Sequence, residues 1–145
     1  MVKKQLIGKR NIMEEKWYLE NTGNINQMLR VRDDIDIHQS IKEFPNLVII
    51  KHNFHMADDI MFPDPSCIAF FTVFENNHLE ALEEENDLAL LAVDICEGLM
   101  QFYVYCKDPQ KTVYDSIAFL KSNELYKCEF EIILNDNGDR LDSLI

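Results

Sequence analysis

Residues 88–106 read LALLAVDICEGLMQFYVYC. Two runs rich in aliphatic and aromatic residues, Leu88 to Ile95 and Leu99 to Cys106, meet at Glu97-Gly98. Runs of this length and composition read as strands, and a short connection ending in glycine joins them as a hairpin. In the second run Leu99, Gln101, Tyr103 and Tyr105 alternate with Met100, Phe102, Val104 and Cys106. Both faces of that strand therefore carry bulk, and something must cover each face, in cis or in trans.

Working outward, Asp108-Pro109 opens a helix, with a side-chain acceptor at the N-cap and a proline where its missing N–H costs nothing. Val113, Ile117 and Leu120 line one side of it, with Tyr114 and Ala118 beside them, to about Ser122. Then Tyr126, Cys128, Phe130, Ile132 and Leu134 alternate with Lys127, Glu129 and Glu131 as a half-exposed strand that ends at Asn135-Asp136-Asn137-Gly138. On the other side of the hairpin, Asp64-Pro65 opens a helix to about Glu85, in which Leu79 and Leu82 share a face while Glu80, Glu83 and Glu84 point outward. Asn46 to His52 (NLVIIKH), preceded by Pro45, is a strand, and His55 to Phe62 reads as loop.

The order from Asn46 is thus βαββαβ, which predicts an α+β, ferredoxin-like sandwich: an antiparallel sheet with two helices on one face. Upstream, Lys16 to Asn21 (KWYLEN) and Gln27 to Arg32 (QMLRVR) flank the turn cluster Thr22-Gly23-Asn24. They predict an N-terminal β-hairpin that extends the sheet or covers part of its free face. Residues 1–13 read as a basic extension and 14–145 as one domain, with Met13 an alternative start.

At 145 residues, 47% of them hydrophobic, the chain can build a single core. Lys and Arg number 14 against 26 Asp and Glu, a formal net charge of -12 that repels polyanions such as nucleic acid. The basic residues crowd the start, at Lys3, Lys4, Lys9 and Arg10, and from His52 through Cys106 there is no Lys or Arg. The same segment holds Glu80, Glu83, Glu84, Asp87 and Glu97, which are expected to steer a basic protein partner. Cys67, Cys96, Cys106 and Cys128 form no CxxC pair and have apolar neighbours, as expected of buried thiols in a cytoplasmic protein. No signal peptide or membrane span is expected.

Tyr103 and Tyr105 raise three readings: bases stacked on an open sheet, core packing, or anchors for a protein partner. The anionic middle and the lack of an RNP-like run of Lys/Arg, Gly and Phe/Tyr argue against RNA. If exposed, the tyrosines anchor a partner. His52 and His55 with Asp58 and Asp59 carry metal-ligand residue types, but histidines three apart leaving a strand for a loop do not share a helical face, so a solvated loop is the simpler reading. Cysteine–histidine nucleophile chemistry needs a thiolate beside a base, which nothing in the spacing supplies. No Gly-rich phosphate loop, G-x-S-x-G elbow or H-E-x-x-H occurs. Neither catalysis nor a cofactor is expected; a small metal-dependent enzyme using His52, His55 and Asp58 is the alternative, and a homodimeric structural module a third reading.

Trp17, Arg30 or Arg32, Phe44-Pro45 before Leu47-Val48-Ile49, Phe74-Glu75, and Gly98 followed by Phe102-Tyr103-Val104-Tyr105 are diffuse markers spread from Trp17 onward. On them the sequence resembles the bacterial family of domains of unknown function six-nine-five. Such domains are similar to the regulator of ribonuclease activity B family, acidic ferredoxin-like proteins that inhibit an RNA-degrading enzyme by contact. The resemblance implies inhibition of a basic nuclease; by class analogy, immunity proteins neutralise a cationic toxin in the same manner. It carries no active-site residues to this chain.

Overall fold

The computed structural model of the chain describes residues 16–54, 62–121, 123 and 126–145. In chain order the elements are β1 (Trp17–Glu20), β2 (Gln27–Arg32), α1 (Ile37–Glu43), β3 (Asn46–Asn53), the long helix α2, β4 (Leu88–Cys96), β5 (Leu99–Cys106), α3 (Pro109–Leu120), β6 (Glu129–Ile133) and α4 (Asp139–Leu144). Helix α2 runs as α-helix over Pro65–Phe74, as π-helix over Glu75–Leu79 and as α-helix again over Glu80–Glu84. The strands form one six-stranded sheet in the order β1-β2-β4-β5-β3-β6, and every neighbouring pair is antiparallel.

The central hairpin forms as its sequence predicts. Glu97 and Gly98 take φ of 46° and 91°, both left-handed, which matches the twist of the strands they join. β4 carries a register shift between Leu90 and Ala92. Because of this bulge Leu91 and Ala92 pack on the same side of the sheet, while Leu90 and Val93 face the other. Both faces of β4 are buried, which is why it reads as an unbroken apolar run.

One face of the sheet, bearing Val48, Ile50, Phe102 and Val104, packs on Phe71, Phe74 and Leu79 of α2 and Leu120 of α3. Both helices begin as predicted: the Asp64 and Asp108 carboxylates accept from the N–H groups of Cys67 and Lys111 at 2.9 and 3.1 Å, with Pro65 and Pro109 in the first turn. The N-terminal hairpin extends the sheet rather than covering it.

The other face carries Leu47, Ile49, Tyr103 and Tyr105, and it is covered in cis by two helices beyond the predicted pair. Ile37 and Ile41 of α1 and Leu141 and Leu144 of α4 lie against it. This corrects the reading of Tyr103 and Tyr105 as exposed anchors: they are 6% and 0% exposed. The Tyr105 hydroxyl donates to Asp136 Oδ2 at 2.7 Å, and the Asp136 carboxylate accepts from the Arg140 N–H. Tyr105 therefore fixes the turn that launches α4. Gly138, at φ +90, opens that helix, and a side chain there would meet Ile41 Cδ1 of α1 at 2.9 Å. Among the described residues no helix is long and apolar enough to cross a membrane.

Candidate functional site

A cleft of about 730 Å³ opens between α2 and the β1–β2 hairpin. At its base lie Val93 and Ile95 of β4 and their cross-strand neighbours Phe102 and Met100 of β5, each 9% exposed or less. Met28 of β2 and Ile68 of α2, 38% and 47% exposed, form apolar lips. A cavity of this size and lining suits a drug-sized molecule or a protein side chain with its flanking backbone.

The walls of the cleft are ionic. Hydrogen bonding from residue i to i+5 in the π segment brings residues five apart to one side, so Phe74 and Leu79 both face the core while Glu75 and Glu80 both face the cleft. Glu75 pairs bidentately with Arg30 of β2, at 2.7 and 3.3 Å, and Glu80 pairs with Lys16 at 2.9 Å. One turn further on, Glu83 accepts from Arg32 Nη1 at 2.9 Å and from the Leu90 N–H at 3.0 Å. Arg32 also donates to the Leu90 carbonyl and, through Nε and Nη2, to Asp34. The Trp17 ring lies under both guanidinium groups, 4.5 Å from Arg30 and 5.4 Å from Arg32. Three carboxylates of α2 thus meet three cations of the hairpin around one indole.

This arrangement changes the meaning of the anionic middle segment. Glu80 and Glu83 are not free for steering, because Lys16 and Arg32 meet them through space, and Asp87 pairs with Lys111 of α3 at 3.2 Å. Glu84 and Glu97 are exposed and in no ion pair among the described residues. Of the predicted site residues the fold gathers only Glu80 and Glu83 near the cleft; Tyr103 and Tyr105 lie on the opposite face of the sheet. No local pattern marks the cations of the cleft as site residues, because they precede their partners by 45 to 64 positions. The available signal was the spacing of Arg30 and Arg32, which places both on one face of β2.

His55, Asp58 and Asp59 lie outside the described residues. His52 is buried, its Nδ1 2.8 Å from the Lys127 carbonyl and its ring against Phe71 and Tyr126. It is a core histidine capping the approach to β6. Burial pushes the Cys67 thiol up to about 11 and the Cys128 thiol up to about 12, and it raises Cys96 and Cys106 as well, so these thiols are poor nucleophiles at neutral pH. His78, between Phe74 and Phe119, lies 3.0 Å from the Ser116 hydroxyl, a buried polar contact between α2 and α3.

The chain belongs to a family of unknown function, DUF695, whose model matches residues 16–142. No curated protein and no solved structure matches it significantly. Of the residues quoted above for the resemblance, Trp17, Arg30 or Arg32, and Glu75 lie at the cleft and its ion-paired wall.

Proposed function

We propose that the protein is a non-catalytic binding domain that docks a basic protein partner in the cleft and restrains it, the partner being a nuclease or toxin effector. The observation that carries this reading is the state of the cleft's ionisable wall. Lys16, Arg30, Glu75 and Glu80 neutralise one another in pairs, an arrangement that orders a recognition surface beside an apolar floor. With Arg32, Glu83 and Asp34 the local balance remains anionic, in keeping with the net charge of -12. An apolar anchor against Met28 and Ile68 at the cleft mouth would supply affinity, and the exposed carboxylates Glu84 and Glu97, beyond opposite ends of β4, the encounter rate.

The fold supports the same reading. The sheet order β4-β5-β3-β6, with α2 linking β3 to β4 and α3 linking β5 to β6, is the arrangement expected of a split βαβ, ferredoxin-like domain, and it keeps the likeness to the regulators of ribonuclease activity in play. The free thiols fit a reducing compartment such as the cytoplasm.

Association kinetics with the captured partner test the proposal. Glu84→Lys with Glu97→Lys is expected to slow association and flatten its salt dependence, while Met28→Trp, which fills the cleft mouth, is expected to speed dissociation. Kinetics unchanged in both variants would overturn it.

A further inference from the structure

The sheet ends in two unlike borders. At one, the β1–β2 hairpin forms a wall of the cleft; at the other lies β6, beyond which no further strand runs among the described residues. The register of β6 with β3 holds over five consecutive pairs without a bulge, and Glu129–Ile133 contains no proline, glycine or lysine. Those are the devices by which an edge strand ordinarily refuses a second chain. Of its two carboxylates, Glu131 is paired with Lys51 and Arg140 at 2.7 and 2.8 Å, and Glu129 stands across from Lys51.

The same border is apolar. Ser116 and Phe119 of α3 meet His78 of α2, and α3 packs over β3, so Val113 and Ile117 on its other flank overhang the β6 side. Ile132 points to the α3 face, because its cross-strand neighbour Val48 packs there. Tyr114, Ile117, Ile132 and Leu134 are 72%, 50%, 42% and 65% exposed.

We infer that β6 pairs antiparallel with β6 of a second copy of this chain, joining two sheets into one about a two-fold axis that passes through Ile132 normal to the sheet. The occupant follows from the register. Centred there, Ile132 meets Ile132, Phe130 meets Leu134 and Glu131 meets Ile133. Centring on Phe130 or Glu131 would set carboxylate against carboxylate, and centring on Ile133 would run the pairing into Asn135, whose φ of 54° ends the extended run. The strand therefore complements itself in one register. That axis also sets the two α3 helices side by side on one face, with Tyr114 and Ile117 over the paired Ile132 residues. Charge permits the approach: residues 107–145, which supply α3, β6 and α4, hold five Lys and Arg against eight Asp and Glu, so most of the net charge of -12 lies upstream. Because β6 and the β1–β2 hairpin are opposite edges, both clefts stay open in the pair.

Sedimentation equilibrium of the full chain, from micromolar to millimolar, is expected to show a two-chain mass. Ile132→Lys should weaken association at least about hundredfold, by setting ammonium against ammonium in place of two isoleucines, while circular dichroism stays that of the parent. Leu19→Lys, at a 67% exposed residue of the opposite edge, should leave association unchanged. Copper–phenanthroline should trap Ile132→Cys as a two-chain disulfide, because residue 132 faces its own copy. The parent, with its native thiols, and Leu134→Cys, two residues from the axis, should not be trapped.

A one-chain mass across the range overturns the inference, and so does a two-chain mass that Ile132→Lys leaves intact. Association lost in Ile132→Lys without a disulfide in Ile132→Cys overturns the continuous sheet.

Discussion

Tyr105 shows how one side chain converts a two-faced strand into a closed core. Its ring is fully buried on the second sheet face, and its hydroxyl meets the buried Asp136, so burial and then that hydrogen bond raise the phenol above its ordinary value. Tyr105→Phe leaves the packing and removes the donor from a buried carboxylate. The expected cost is about 1–3 kcal/mol, read as a lower urea midpoint. His78 is the matching case in the other core layer. Burial among Phe74 and Phe119 lowers its imidazole below the ordinary value, with Asp115 opposing and Lys111 reinforcing the shift. A depressed folded value means that the neutral ring's stabilising contribution is complete above the ordinary imidazole pKa and is lost as pH falls through the folded one. Stability should therefore drop as pH falls below the ordinary imidazole pKa of about 6.5, and His78→Gln, which retains a polar contact for Ser116, should shrink that drop. An unchanged pH profile in the variant would show that another group sets it.

Among the elements, α2 and the β1–β2 hairpin depend on each other through Arg32. The guanidinium is 4% exposed and reaches Glu83, Asp34 and the Leu90 carbonyl, joining the last turn of α2 to β2 and β4. Arg32→Ala leaves those acceptors facing a void and is expected to cost about 3 kcal/mol, the lower end for a broken buried pair because Glu83 keeps some water contact. Lys16→Ala, at a pair with both partners about one-third exposed or more, is expected to stay within about 1 kcal/mol. Denaturant unfolding of the two variants separates the roles: equal costs would mean that Arg32 does not tie the elements together. The elements themselves were legible unequally. Asp64-Pro65 and Asp108-Pro109 mark helix starts by local chemistry, and Glu97-Gly98 marks a hairpin the same way. Helices α1 and α4, of 7 and 6 residues, are too short for a periodic apolar stripe to declare itself. Their presence was implied only by the bulk on both faces of β5, which demanded a cover without saying what it was.

At the scale of the whole molecule, charge and fold part company. The run from His52 through Cys106 has no Lys or Arg. The topology nevertheless lays β2 against β4, and so brings Arg30 and Arg32 across from α2. What reads along the chain as a surplus of free carboxylates is in space partly a neutralised wall beside an apolar floor. Such pairings over long sequence separations are set by register and sheet order, which no local pattern encodes. The surplus that does remain, including the exposed Glu84 and Glu97, is carried by the molecule as a field that favours cationic partners.

The most direct measurement is a parallel capture from the native host at low salt by the parent protein and the Met28→Trp variant, eluted with a salt step and identified by mass spectrometry. The account predicts one basic protein that the parent retains until salt or denaturant releases it, and that the cleft-filled variant fails to hold. Retention of the same proteins by both, or of none but the chain itself, would contradict it.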